Sequence, residues 1–297
     1  MLQHVFDIDP NEGLLPLAIL TLMLLTGVLL LVVAIGIGLP PGWPLLLQRR
    51  PNLAFRAMAA MFVGMPASVL LLVWILPLQR PVSAALLGLA ISPVLPPWGR
   101  KAALVGGSSN DIIGLQLLSS ATAVLVIPWM IGLVEHLFNV QTTLDSLAVE
   151  LVLLVTVVAP LAVGVGLSHW APHAAPRLAA LANRVGGVLL LLGGVVLTVL
   201  RGTAILGVIG QGTLVAIAAV VIIGLLLGHL LGGPDPRTRG VLASAMVYRH
   251  PAIALILATG SGKEPNDSVI GTVLLYMLVS LLLSIPYERW RQRVIAS

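Results

Sequence analysis

Two clusters of prolines and basic residues interrupt stretches of the sequence that are otherwise apolar. Their members are Pro93, Pro96, Pro97, Arg100 and Lys101 in the first cluster, and Arg249, His250 and Pro251 in the second. Proline breaks a helix because it lacks a backbone N–H, and a guanidinium keeps its charge and recognises carboxylates through paired hydrogen bonds. These residue types predict reversible binding of an anion. Two roles stay open for His250, proton exchange near neutral pH or a neutral, hydrogen-bonded ring.

The composition places these clusters in a membrane protein. Hydrophobic residues make up 58% of the 297 residues, charged residues make up 9%, and the mean hydropathy is +1.07. This composition leaves too little polar surface for a soluble globule, and the apolar runs lack the alternation of barrel strands. The predicted fold class is therefore an all-α polytopic membrane protein, with lipid as its surroundings. The isoelectric point of about 10.4 reflects basic residues in short loops, which predicts orientation in a membrane and no nucleic-acid partner.

Apolar runs long enough to cross a hydrocarbon core of about 30 Å predict nine transmembrane helices. They lie near residues 14–39, 52–77, 83–105, 111–134, 146–168, 184–201, 212–231, 237–260 and 268–287. The two clusters fall within the third and the eighth helix. Broken helices with charges near the bilayer midplane are typical of the substrate site of a carrier.

The basic residues predict the orientation of these helices. One side of the membrane receives Arg49, Arg50, Arg177, Arg184, Arg237, Arg239, Arg289, Arg291 and Arg293, and the other receives Arg80, Arg201 and Lys263. The positive-inside rule then places the N-terminus outside and the C-terminus in the cytoplasm. The first thirteen residues contain acidic side chains but no lysine or arginine, so no cleaved signal is expected. The expected location is a bacterial inner membrane.

The offset between the two broken helices predicts inverted repeats. Helices 3 and 8 are five apart, and because five is odd, a unit that recurs at this offset is upside down in the membrane. The pairs are helices 1 and 6, 2 and 7, 3 and 8, and 4 and 9, with helix 5 unpaired. Inverted repeats with paired interruptions are the architecture of alternating-access transporters.

Short motifs along most of the chain, from about Gly13 to Pro286, resemble those of the bile acid:sodium symporter family. They are Gly36-Ile37-Gly38-Leu39, Arg50-Pro51, Met65-Pro66 and the alanine-rich stretch from Ala243 to Ala258. The resemblance implies one transporter unit over residues 1–297, with a core domain of helices in 52–134 and 212–287 and a panel domain of helices in 14–39 and 146–201. It also implies an organic anion as substrate, bound beside the crossing of the two broken helices.

The sequence departs from the family at the sodium ligands. The second crossover of the family typically reads Glu-x-x-x-Gln-Asn-Ser-Gly, whereas this chain has Ala245 and then Arg249, His250, Pro251 and Ala252. The oxygen-bearing residues of the first crossover are missing as well. Fixed positive charges would then stand where sodium binds, so sodium coupling is doubtful, and either a proton or sodium remains open as the coupling ion. A bound anion would offset the cost of moving these charges through the membrane potential.

The predicted substrate-binding residues combine both clusters. They are Arg249, His250, Pro251, Arg100, Lys101, Pro93 and Pro97. A structural role stays open for Arg249, which could pair with a backbone carbonyl or with Asp111, and snorkelling to the interface stays open for the other two cations. Ser119, Ser120 and Thr122 are weaker candidates for ion ligands, with bonds to their own helix as the alternative. Residues 106–111 are predicted to form a loop and a helix cap.

Other functional classes fit the sequence less well. An intramembrane enzyme would need a zinc-protease run, paired aspartates or an aspartate-rich metal motif, and the sequence has none of them. No cofactor and no metal site are expected. A channel is disfavoured because no carbonyl filter or ring of like charges is visible. Among carriers, the auxin-efflux-carrier group is the alternative. Its members have a similar two-crossover architecture with prolines at the crossings, and they work without sodium.

Overall fold

The computed structural model describes residues 14–39, 50–95, 98–138, 151, 154–210, 212–251, 254–255 and 266–296, and their regular structure is helical apart from one isolated β-bridge. The helices are α1 (Leu14–Ile37), α2 (Pro51–Ile75), α3 (Arg80–Ile91), α4 (Gly99–Leu104), α5 (Ser109–Phe138), α6 (Leu154–Trp170), α7 (Ala175–Leu200), α8 (Gly202–Val208), α9 (Thr213–Leu231), α10 (Pro236–Val247) and α11 (Asp267–Ala296).

Six helices of the described residues are long and apolar enough to cross a membrane. These spans are Ile19–Ile37, Pro51–Ile75, Ser109–Met130, Ala175–Leu200, Thr213–Leu231 and Asp267–Ala296. Their outer faces carry large apolar side chains, such as Val199 at 74% and Leu230 at 73% exposure, which suits contact with lipid. The all-α prediction and the prediction of membrane-spanning helices are confirmed at this level. The count of nine spans and the inverted repeats stay predictions.

Two helix boundaries differ from the prediction. Helix α7 begins at Ala175 rather than near residue 184, and α11 continues to Ala296 rather than ending near 287. The first extension contains one charged residue and the second contains four, and such residues end a hydropathy plot but do not end a helix. Arginine, glutamate, alanine and leucine are good helix formers, so the backbone ladder continues past the apolar segment.

Glycines bring α1 into close contact with α6 and α7. A Cβ at Gly164 would collide with the carbonyl of Val33, and a Cβ at Gly36 would collide with that of Leu161. On the other side of α1, a Cβ at Gly186 would lie 2.8 Å from the carbonyl oxygen of Gly27. Small residues that allow backbones to touch are a common means of packing helices in membranes. These three helices therefore form one tightly packed group.

A second group contains the main buried core and positions the two broken segments. Helices α2, α3, α9, α10 and α11 pack on one another, and the largest fully buried side chains, including Met61, Trp98 and Tyr276, lie there. Helices α9 and α10 touch through Gly228, where a Cβ would collide with the backbone of Ala243. The interruptions after α3 and α10 lie inside this core, where Ser92, Val94 and Arg249 are almost completely buried.

Candidate functional site

The two interrupted helices meet at their breaks. Val94 and Arg249 form an antiparallel bridge, in which Leu95 N donates to Tyr248 O at 2.9 Å and His250 N donates to Pro93 O at 2.9 Å. The local cause is proline, because the residue before a proline is pushed out of the helical region. Ser92 precedes Pro93 and is extended at ψ 149°, and His250 precedes Pro251. Pairing satisfies backbone groups that each broken helix leaves free.

The guanidinium of Arg249 is bonded to backbone carbonyls at this crossing. With 2% of the residue exposed, its Nε donates to Met246 O at 3.0 Å, Nη1 to Ser92 O at 3.0 Å, and Nη2 to Met61 O at 3.4 Å. The first two carbonyls lie at the C-terminal ends of α10 and α3, where helix dipoles favour a cation. Arg249 thus stabilises the crossing electrostatically.

The carbonyl of Met61 is free because of a proline. Residues 60–64 form a π-helical turn of α2, in which Met65 N donates to Ala60 O, five residues back. The same pattern would pair Met61 O with the N–H of residue 66, but Pro66 has none. A third helix thereby supplies an acceptor to Arg249. The charge itself is not neutralised locally, since no described carboxylate lies within 4 Å of the guanidinium.

Several buried polar atoms beside the crossing have no hydrogen-bond partner among the described residues. They are Nδ1 and Nε2 of His250, Oε1 of Gln116, Oγ of Ser120 and Nε1 of Trp98. Gln116 reaches the crossing directly, because its Nε2 donates to Val94 O at 2.8 Å. Buried polar groups normally find partners, so these atoms remain available to bond the polar groups of a small ligand. Gln116 was missed in the sequence, although a single amide within an apolar helix is a usable signal.

Lys101 is engaged in an ion pair that the sequence did not predict. Its Nζ lies 2.9 Å from Oε2 of Glu288, and the other carboxylate oxygen accepts from the hydroxyl of Tyr248 at 2.8 Å. That hydroxyl also lies 2.7 Å from Ser284 Oγ. Glu288 was overlooked because the ninth helix was predicted to end one residue earlier. The pair connects α4 and α11 to the residue that precedes Arg249.

The other predicted site residues are distributed around the crossing. Arg100 is exposed, and its Nη2 donates to Asn183 O of α7 at 2.9 Å, so it reaches the α1, α6 and α7 group. Ser119 Oγ donates to Gln116 O at 3.0 Å, and Thr122 Oγ1 lies 3.1 Å from Met58 Sδ, which leaves Ser120 as the unpaired hydroxyl of the three. Pro97 lies outside the described residues.

Asp111 belongs to a helix cap and does not contact Arg249. Its backbone N–H donates to Ser108 Oγ at 3.1 Å, and its carboxylate lies 3.5 Å from Nη1 of Arg50. The predicted cap at the start of α5 is therefore confirmed. Within the described residues, no group of three histidine, aspartate or glutamate side chains is close enough to hold a metal ion.

Comparison of the sequence with models of known protein families and with curated protein sequences finds no match. The resemblance to the bile acid:sodium symporter family rests on the motifs quoted above.

Proposed function

We propose that this protein is a secondary carrier for a small organic anion, which it moves by alternating access across a bacterial inner membrane. The observation that carries the proposal is the crossing of two broken helices, joined by the Val94–Arg249 bridge and holding a buried guanidinium. Such crossings surround the substrate sites of carriers with inverted repeats. Nine spans, an outside N-terminus and a cytoplasmic C-terminus complete the proposed architecture.

The buried charge favours an anionic substrate. Arg249 uses three N–H groups for the carbonyls of Ser92, Met246 and Met61, and a guanidinium has five. Carbonyl dipoles reduce the cost of burying the cation but do not cancel its charge. A carboxylate or sulfonate beside the crossing would supply the opposite charge, and the unpaired atoms of His250 and Gln116 could bond to its polar substituents.

The same contacts support transport without sodium. Carbonyl oxygens are typical ligands of a sodium ion, and at this crossing the carbonyls of Ser92 and Met246 already accept hydrogen bonds from Arg249. The guanidinium is a permanent cation that occupies these carbonyls in place of a sodium ion. The coupling ion would then be a proton, or the carrier would work without one.

The packing supports movement of one helix group against the other. Helices α6 and α7 each pack closely on α1, while the crossing belongs to the group around α2, α3, α9, α10 and α11. Arg100 lies in α4, which packs on α10 of the second group, and it donates to a backbone carbonyl of α7. We assign α1, α6 and α7 to a panel and the rest to a core that carries the substrate.

Ligand-dependent unfolding tests the proposal. The purified protein would be heated in sodium chloride and in choline chloride, with a panel of aliphatic and aromatic carboxylates and sulfonates. Stabilisation by an anion should be the same in both salts, and it reaches about 2.7 kcal/mol at a hundredfold excess over the dissociation constant. Arg249→Met should abolish the effect and Arg249→Lys should retain part of it. Exposed Arg289 provides the matched control, Arg289→Gln.

Two results would contradict the proposal. The first is stabilisation that requires sodium, because the carbonyls held by Arg249 would then be available to an ion. The second is unchanged anion binding and uptake in Arg249→Met. A preference for aromatic carboxylates would favour the auxin-efflux-carrier type. The prolines in both breaks, Pro93 and Pro251, already support that alternative.

A further inference from the structure

We propose a second binding site, for the phosphate group of an anionic phospholipid, at the turn between α9 and α10. Three arginines from three different helices surround residues 232–236. Arg239 Nε donates to Gly233 O at 2.6 Å, and Arg291 Nη2 donates to Pro236 O. Arg56 of α2 lies beside the same turn, where a Cβ on Gly233 would be 3.1 Å from its Nη1. Gly233 has a φ of +89°, so glycine also suits the backbone here.

These guanidinium groups have no compensating carboxylate in the part of the chain that the structure describes. Among the described residues, no carboxylate lies within 4 Å of Arg56, Arg239 or Arg291. Of the two acidic groups nearest in the chain, Asp235 caps α10 by accepting from Arg237 N at 2.9 Å, and Glu288 is paired with Lys101. Like charges repel, so the arrangement needs an anion to be favourable.

A second observation points to the same ligand class. Arg291 is only 3% exposed, yet its Nε has no hydrogen-bond partner among the described residues. A buried guanidinium with an unused N–H is costly, and a phosphate, with several acceptor oxygens, can accept from more than one arginine.

The surroundings identify a lipid as the source of the phosphate. Helix α9 has 19 residues and is therefore about 28 Å long, which places the turn at its end near the headgroup level. Leu226 and Leu230 lie four residues apart on α9 and are 55% and 73% exposed, a surface suited to an acyl chain. Trp290 is 47% exposed and stacks on Arg291, whose Cζ lies 5.2 Å from the ring centre. Tryptophan at this depth is typical of the membrane interface.

Aromatic residues pack beside Arg239 and Arg291. Tyr287 donates to Arg239 O at 3.4 Å, and its hydroxyl lies 2.9 Å from Nδ1 of His229. His229, Tyr287 and Trp290 contact one another through their rings. Helices α2, α10 and α11 thus bring three arginines to the end of α9, and basic sites between membrane helices of this kind bind anionic headgroups.

Lipid titration tests this site on the full-length protein. Protein in a neutral detergent would be titrated with phosphatidylglycerol, with phosphatidylcholine and with inorganic phosphate, and bound lipid counted by native mass spectrometry. We expect phosphatidylglycerol to bind most tightly. Arg56→Gln should weaken it about fivefold and Arg239→Gln by at least as much. Arg56 carries the cleanest test, because no described group bonds to its side chain.

Arg177→Gln, an exposed arginine on α7, is the matched control and should leave the affinity unchanged. The site is refuted if the control weakens binding as much as Arg56→Gln does, since the effect would then come from general surface charge. Equal binding of inorganic phosphate would refute the lipid as its source.

Discussion

The ion pair between Lys101 and Glu288 makes an asymmetric prediction about stability. The Lys101 side chain is 30% exposed and that of Glu288 is 7% exposed. Replacing the lysine by methionine leaves a buried carboxylate whose remaining partner among the described residues is the hydroxyl of Tyr248. Replacing the glutamate by leucine leaves an ammonium that water can reach, and the hydroxyl keeps Ser284 as its partner. Lys101→Met should therefore be the more damaging change.

The magnitudes follow from where this pair lies between the surface and the interior. Exposed pairs contribute about 0.2–1 kcal/mol, and breaking a fully buried pair costs about 3–5 kcal/mol. Because Lys101 is partly exposed, Lys101→Met should lower the free energy of unfolding by about 2–3 kcal/mol. Glu288→Leu should lower it by about 1–2 kcal/mol. The double variant should lose less than the sum of the two, with a coupling energy of about 1–2 kcal/mol.

Denaturant-induced unfolding in detergent micelles measures this coupling energy as a double-mutant cycle. It compares four proteins, which are the wild type, the two single variants and the double variant. A coupling energy below about 0.5 kcal/mol, or a larger loss for Glu288→Leu than for Lys101→Met, would refute the reasoning. The same four proteins report on substrate binding. If Lys101 acts only through Glu288, the double variant keeps its affinity for anions. If Lys101 contacts the substrate, both variants that lack it bind anions more weakly.

Three further predictions concern packing and unpaired polar atoms. Gly164→Ala should lower the unfolding free energy by about 1–3 kcal/mol, because its Cβ meets backbone of α1, while Gly166→Ala, with nothing within 4 Å, should be neutral in the same unfolding assay. His250→Leu removes unpaired ring nitrogens, so thermal unfolding should show unchanged or higher stability while calorimetry shows weaker anion binding. Gln116→Leu deprives Val94 O of its side-chain donor and should cost about 1 kcal/mol in denaturant unfolding, and an unchanged value would contradict this role.

Features governed by local chemistry could be predicted from the sequence. The breaks after Ile91 and Val247 follow from proline and from the residue before it, and the apolar runs identify the long helices. The cap at Ser108 follows from its position before an apolar run. Each of these depends on neighbours within one or two helical turns.

Contacts between distant parts of the chain could not be predicted in this way. Lys101 and Glu288 are 187 residues apart, and neither segment contains a pattern that indicates the other as its partner. The guanidinium of Arg249 was predicted to face a ligand, with a carbonyl partner as the alternative, and it contacts three carbonyls from three segments. Which donor meets which acceptor depends on the packing of whole helices, and hydropathy carries no information about that register.

The π-helical turn in α2 has a consequence for chain length. Such a turn accommodates one residue more than a regular helix of the same span, so deleting a single residue from 60–64 would restore the regular ladder. Because the span is unchanged, the parts of α2 on either side of the turn would keep their relative orientation, and Arg56 would stay beside Gly233. Deleting a residue from the regular part at 57–59 would instead rotate the start of α2 by about 100° relative to the rest, so Arg56 would leave Gly233 while Met61 O stays beside Arg249. The π-helical turn is therefore the place where α2 can lose a residue without separating the two basic sites.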